Sequence, residues 1–237
     1  MKCIIVAAGY ATRLYPLTEN FPKPLLEVKG KPILDWLIED IEEDIEEFIV
    51  VTNHKFYDHF LSWSKGKKVR VIDDGTASNE GRLGAVRDIE LAAKDVDCDC
   101  LVMAGDNLLD FSLKGFVDYA LNKDTSCIMC HEENSLKALQ KTAVITIDEN
   151  DLITSYEEKP IEPKGNLAVP PFYFYKFDDL RRIDEALSDG CGYDAPGSFA
   201  AWLSKKAPMY AYRMPGKRYD IGDLESYQRV NDLETIK

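Results

Sequence analysis

Val6-Ala7-Ala8-Gly9-Tyr10-Ala11-Thr12-Arg13-Leu14-Tyr15-Pro16-Leu17-Thr18, with Pro22-Lys23-Pro24-Leu25 close behind, takes an apolar segment into a glycine loop followed by two cations. The run Cys3 to Ala8 is short, apolar and stopped by a glycine, so it reads as a buried parallel strand feeding a loop that a ligand can approach. Small residues at Ala7, Ala8, Gly9 and Ala11, between Val6 and Thr12, would let anion oxygens reach main-chain N–H groups. Arg13 can fork onto two phosphate oxygens, and Lys23 can place a point charge on a third. The prolines beside Lys23 restrict its backbone and limit the entropy lost on binding. Taken alone the stretch is equally a strand-to-loop turn. It is neither a Gly-Lys-Ser/Thr phosphate loop nor a three-glycine dinucleotide fingerprint.

Outward from this loop the chain alternates strands and helices. Pro32 to Glu43 reads as a helix with Ile33, Trp36, Leu37 and Ile41 on one face. Strands at Glu47–Asn53, Lys68–Asp73 and Asp99–Ala104 alternate with helices at Lys55–Ser62, Arg82–Lys94 and Ser112–Asn122, and a strand surrounds Cys127. This alternation predicts an α/β fold with a doubly wound, mostly parallel sheet. Ala143–Ile147, Leu152–Glu157 and Val169–Phe177 then read as strands of an antiparallel addition over the ligand edge of that sheet. Ligands of open α/β sheets bind beyond the carboxyl ends of the strands, where the first loop would also lie. Helices near Asp178–Leu187 and Gly197–Lys205, a strand at Met209–Met214 and a helix from Leu224 to about Leu233 complete the reading. We expect a single domain in two halves, residues 1–140 and 141–237.

The 237 residues suffice for a sizeable core, and 45% hydrophobic with 30% charged residues is ordinary for a globular protein. A net charge of -13 repels nucleic acid and anionic membranes, so neither is expected as a partner. It equally repels phosphate substrates, so an anion site must concentrate its cations locally and recruit a divalent metal. Met1-Lys2 passes directly into a strand and no run approaches the ~18 apolar residues of a membrane span, so a cytoplasmic protein is expected. Six cysteines fall mostly in strand-like runs and read as reduced core thiols. Cys127-Ile128-Met129-Cys130-His131 has a haem-attachment spelling, but a strand would turn its two cysteines to opposite faces.

A second constellation is Leu101-Val102-Met103-Ala104-Gly105-Asp106-Asn107, an apolar strand ending in Gly-Asp-Asn. An aspartate there can hold a magnesium ion that keeps several waters, or can simply initiate a turn. Far along the chain stands Tyr219-Asp220-Ile221-Gly222-Asp223-Leu224, in which Asp223 can also cap a helix.

Together these segments resemble the nucleoside-triphosphate-dependent sugar-phosphate nucleotidyltransferases, the Rossmann-like pyrophosphorylases that make dTDP-, UDP- and ADP-glucose. Cytidylyltransferases acting on phosphocholine share the same opening. The resemblance implies Mg²⁺ as cofactor, held by Asp106 and Asp220, with Arg13 and Lys23 as catalytic cations. It places Gly81-Arg82-Leu83-Gly84 at the nucleobase, where Asn79 can read a base edge and Gly81 and Gly84 give close approach. Glu157-Glu158-Lys159-Pro160 resembles the family's Glu-Lys-Pro motif, in which Glu158 would hold acceptor hydroxyls and Lys159 the acceptor phosphate. Asn107 and Tyr173 complete the implied acceptor site.

Three departures stand out. Ala11 replaces a second glycine, Arg218 stands where an aromatic is common, and Pro171 stands where sugar enzymes usually have glycine before the tyrosine. Pro171 cannot donate to a sugar hydroxyl, and its aromatic neighbours would suit a cationic acceptor. A β-helix extension, present in some members of that family, is not expected. The expected partners are a nucleoside triphosphate and a phosphorylated small molecule, and a monomer or a homodimer fits equally. The leading expectation is a sugar 1-phosphate with dTTP or UTP. The alternatives are CTP with phosphocholine or a phosphonate, and a non-catalytic nucleotide-binding homologue.

Overall fold

A computed structural model of the chain, described from Met1 to Ile236, resolves two compact units, each assembled from separated stretches. The first takes Met1–Leu83, Ala104–Lys114 and the chain from Pro215 onward; the second takes Gly84–Met103 and Gly115–Met214.

In the first unit the opening strand Lys2–Val6 pairs in parallel with Glu47–Thr52, which pairs in parallel with Val69–Asp73. Such pairing needs crossovers. Helix Ile33–Ile41 buries Ile33, Leu34, Leu37, Ile38 and Ile41, the spacing expected of one helix face. Buried Asp35 on that helix is answered by Trp63 Nε1 and Lys67 Nζ, each donating at 2.9 Å. Helix Tyr57–Trp63 follows a 3-10 turn at His54–Phe56, which the side chain of Asn53 caps by accepting from Phe56 N at 3.1 Å.

Two short pairings give the sequence no signal, because two or three residues cannot display an alternation. Glu27–Val28 pairs with Lys31–Pro32, and Asn107–Leu109 runs antiparallel to Arg218–Asp220. The second joins the two aspartate-bearing motifs. Beneath it lies a core of Leu14, Leu26, Val28, Ile33, Leu108, Ile221, Val230 and Ile236. Arg13, Asn107 and Asp220 are each the chain neighbour of a member of this cluster, so one apolar core fixes the backbone of all three. Each such side chain fully buried contributes about 1.5–3 kcal/mol.

The second unit is built on a mixed sheet. Phe172–Tyr175 runs antiparallel to both Cys100–Ala104 and Cys127–Glu132, and Tyr210–Arg213 is parallel to Cys127–Glu132. Leu167–Val169 joins Cys127–Glu132 to Ala143–Ile147, which pairs with Ile153–Glu158. The strand expected over Val169–Phe177 is therefore two strands, broken at Pro170-Pro171 because neither proline can donate to a ladder. The helix expected from Arg82 begins at Ala85, since Gly84 has φ +91°. The helix expected over Asp178–Leu187 is divided into Phe177–Leu180 and Ile183–Ser188.

All six cysteines are free thiols. Burial pushes Cys127 up to about 12 and Cys130 to about 11, which keeps both protonated and inert. Among the described residues no helix is long and apolar enough to cross a membrane.

Candidate nucleotide and cation site

The first loop leaves the Lys2–Val6 strand with Ala7 and Ala8 buried and Gly9 exposed. Ala7 N donates to Val51 O at 2.8 Å, so the cradle falls to the residues after it. Asn53 Nδ2 donates to Ala8 O at 2.9 Å and Tyr10 Oη to Thr76 O at 3.2 Å, anchoring the loop to the ends of its neighbouring strands. A Cβ at Gly9 would meet nothing within 4 Å, so the space above this glycine is open to a ligand.

Ala11 adopts φ 46°, ψ 43°, the left-handed conformation that explains why a glycine is usual here. Thr18 Oγ1 and Leu14 N, donating to Ala11 O at 2.8 and 2.9 Å, hold it there. The conformation costs an alanine roughly 1–2 kcal/mol, and glycine loses about 0.5–1 kcal/mol more backbone entropy on folding. Ala11→Gly is therefore expected to raise the melting temperature by about 2 °C in scanning calorimetry.

Lys23 sits in a 3-10 turn, Lys23–Leu25, entered from Pro22 and closed by Leu26 N donating to Lys23 O. Its side chain is 8% exposed and its Nζ donates to Asp106 Oδ2 at 2.8 Å. Asp106 is itself 38% exposed. Gly105 before it is closely packed, since a Cβ would lie 3.1 Å from Ile5 Cγ2 and 3.4 Å from Leu34 Cδ1 and would press both side chains aside. Asp106 is thereby carried on a tightly packed turn.

Asn107 is buried, at 1% exposure. Its Nδ2 donates to Asp106 Oδ1 at 2.8 Å, and its Oδ1 accepts from Arg218 Nη1 at 2.6 Å. Both polar ends are engaged within the unit, so Asn107 ties Asp106 to Arg218. Asp220 stands opposite Asn107 in the Asn107–Leu109 and Arg218–Asp220 ladder, with its Oδ2 3.9 Å from Arg218 Nη1. Gly222 follows, and the Arg13 guanidinium lies 3.8–4.0 Å from where its Cβ would be. Bonds from Ser226, with Arg13 adding attraction, lower the Asp223 pKa while it caps helix Leu224–Asn231.

Four predicted residues, Arg13, Lys23, Asp106 and Asp220, thus belong to one unit, with the first loop. Asp106 and Asp220 fit Mg²⁺, which binds through one or two carboxylates and completes its shell with substrate phosphates and water. Among the described residues no three His, Cys, Asp or Glu side chains gather as a metal site, so the other ligands would come from substrate and solvent. Asn79 and Gly81 lie in the Ser78–Gly81 turn, where Gly81 N donates to Ser78 O.

Gly84 opens the second unit. A Cβ there would lie 2.5 Å from Tyr193 O, and Val86 N donates to that same carbonyl, so in this structure Gly84 packs against Tyr193. Elsewhere in this unit Glu158, Tyr156 and Tyr173 converge on Gly197. A Cβ at Gly197 would lie 2.5 Å from Glu158 Oε2, 2.8 Å from Tyr156 Oη and 3.3 Å from Tyr173 Oη. Tyr173 stacks on Tyr175 at 5.9 Å, and Lys159 holds φ 47° on the exposed turn. Strained residues of this kind concentrate at ligand sites. Sequence reasoning missed Tyr156 and Gly197, whose partnership spans the loops between them.

Glu158 Oε2 is buried without a hydrogen-bond partner, and burial raises the carboxyl pKa against a smaller lowering by Lys159. The folded chain then holds that proton more tightly than the unfolded one. Its contribution to stability is present below the ordinary carboxylate range and is lost as pH rises through the raised value. Glu158→Gln should melt above the parent at pH 8, with the gap closing toward pH 4; a gap independent of pH would refute buried ionisation as its cause.

The chain is similar to several known proteins. A 33% identity over 179 residues links the chain to the bifunctional protein GlmU of Methanocaldococcus jannaschii, covering 75% of this chain and 40% of that one. The chain therefore spans less than half the length of that relative. It is 28% identical over 227 residues to the UTP–glucose-1-phosphate uridylyltransferase AglF of Haloferax volcanii, covering 94% and 91%. A crystal structure of UDP-glucose pyrophosphorylase with UDP-glucose superposes with a TM-score of 0.81 at 23% identity, over 98% of this chain and 97% of that one, which shows the shared fold. The nucleotidyl transferase family profile matches residues 2–235, so the glycine loop, the buried lysine and both aspartates lie in a chain that belongs to the nucleotidyl transferase family.

Proposed function

We propose that the protein is a Mg²⁺-dependent nucleotidyltransferase joining a nucleoside triphosphate, dTTP or UTP, to a sugar 1-phosphate with release of pyrophosphate. The observation that carries this reading is the pairing of buried Lys23 with Asp106 on the unit that also holds Asp220, Arg13 and the open glycine loop. The acceptor phosphate oxygen attacks the α-phosphorus in line, and pyrophosphate departs. A phosphate monoester is already a competent nucleophile, so the residues supply position and charge and no covalent intermediate is needed.

The first loop receives the triphosphate, and Arg13 steadies the departing pyrophosphate. Lys23 exchanges Asp106 for the α-phosphate and offsets the charge developing there. Bound Mg²⁺ would neutralise phosphate charge between Asp106 and Asp220. Glu158 and Tyr173 hold the acceptor and Lys159 meets its phosphate.

A second reading, CTP with phosphocholine or a phosphonate, is favoured by Pro171 and by the tyrosines around Glu158. A buried carboxylate among aromatic rings suits a cationic head. The discriminating experiment is pyrophosphate release, with Mg²⁺ and with EDTA, for four nucleoside triphosphates crossed with sugar 1-phosphates, phosphocholine and 2-aminoethylphosphonate. Release with a sugar 1-phosphate supports the first reading, release only with CTP and a non-sugar acceptor the second, and nucleotide binding without release refutes both.

A further inference from the structure

Arg218 is a cation that the phosphate chemistry leaves without a task, yet it stands beside both aspartate-bearing strands and bonds Asn107. Its side chain is 22% exposed. In the ladder it lies opposite Leu109 while Asp220 lies opposite Asn107, so Arg218 and Asp220 share a face and the long side chain reaches Asn107 diagonally. Nη1 makes the 2.6 Å bond to Asn107 Oδ1 and stands 3.9 Å from Asp220 Oδ2.

An arginine can only donate and an ionised carboxylate can only accept. The Asn107 amide between them satisfies both in one of its two flips alone, with oxygen toward Arg218 and nitrogen toward Asp106. Asp106 is consequently gripped from two sides, by Asn107 on Oδ1 and Lys23 on Oδ2. The two grips differ in permanence. Under the function proposed above, Lys23 leaves Asp106 for the nucleotide, and Asn107 is then the donor that keeps the carboxylate oriented.

We propose that Arg218 is a positioning residue that locks the Asn107 amide so that Asp106 keeps its orientation toward the divalent cation once Lys23 has moved to the phosphates. This rests on the reading of Asp106 as a cation ligand and on no particular acceptor. A methionine at 218 would fill the space of the arginine without donating, whereas a lysine could still donate to Asn107 Oδ1.

The test measures Mn²⁺ affinity by electron paramagnetic resonance in Lys23→Met protein, where the Lys23 grip is already removed. Adding Arg218→Met is expected to weaken Mn²⁺ binding about tenfold, Arg218→Lys should recover part of that loss, and Asn107→Leu added to Arg218→Met should cause no further loss. Thermal melting identifies any variant that has unfolded, and Arg218→Lys then carries the comparison. Unchanged or tighter binding with Arg218→Met overturns the proposal, as does a further tenfold loss from Asn107→Leu, or a Lys23→Met protein that binds no Mn²⁺. If the Mn²⁺ results come out as expected and the natural protein releases no pyrophosphate, the proposed reaction fails and the role of Arg218 stands.

Discussion

Lys23→Met is expected to lower kcat by about 10²–10³ while leaving the melting temperature almost unchanged. The lysine stem is packed within the Lys23–Leu25 turn, and methionine has a similar length and shape without the ammonium. Asp106 loses one donor, but at 38% exposure it remains hydrated and still accepts from Asn107. What disappears is a positive charge that reaches the α-phosphate from a largely dry position, where one electrostatic donor is worth about 2.7–4 kcal/mol of transition-state stabilisation. Steady-state kinetics with the productive substrate pair checks this, and an unchanged kcat/KM would reduce Lys23 to a packing residue.

Asp106→Asn is expected to be worse on both counts, with turnover lower by about 10³ or more and a melting temperature lower by several degrees. The family resemblance alone, which makes Asp106 a metal ligand, implies a substitution that leaves folding intact. The structure changes that expectation. Lys23 is 7% exposed, and removing its counter-charge strands a buried ammonium. Breaking a fully buried pair costs about 3–5 kcal/mol; the exposure of Asp106 reduces this to roughly 1–2 kcal/mol. The double variant Lys23→Met/Asp106→Asn should regain the lost stability and remain inactive. A double variant as unstable as Asp106→Asn alone would show that the stranded lysine is not the cause.

Much of the fold is legible in the chain because its long elements announce themselves by period. The Ile33–Ile41 helix and the Glu47–Thr52 strand fall where apolar spacing puts them. The antiparallel addition was legible as a change of rhythm, but not the placing of Phe172–Tyr175 between Cys100–Ala104 and Cys127–Glu132, since partner choice is a tertiary matter. The break at Pro170-Pro171 was readable in principle from proline chemistry and was overridden by the aromatic run after it.

For the site, residue type and order suggested Lys23 and Asp106 but not their direct pairing, 83 positions apart. Asn107 illustrates the opposite limit. The resemblance alone assigned it a place, at the acceptor, and nothing in its neighbours announced that three-residue strands would bury it against Arg218. Arg218 registered in the sequence only as an unusual cation. Its direction became visible once the Asn107–Leu109 and Arg218–Asp220 ladder fixed the register.

The central claim, attack at the α-phosphorus with pyrophosphate as leaving group, is tested most directly by following label from the nucleoside triphosphate into products. The substrate pair would be run twice, once with α-³²P and once with γ-³²P, in the presence of Mg²⁺ and with EDTA as control. The account predicts Mg²⁺-dependent appearance of the α label in a nucleoside-diphosphate conjugate of the acceptor and of the γ label in pyrophosphate. Label from the γ position in the acceptor, or in orthophosphate formed by the protein, would contradict it.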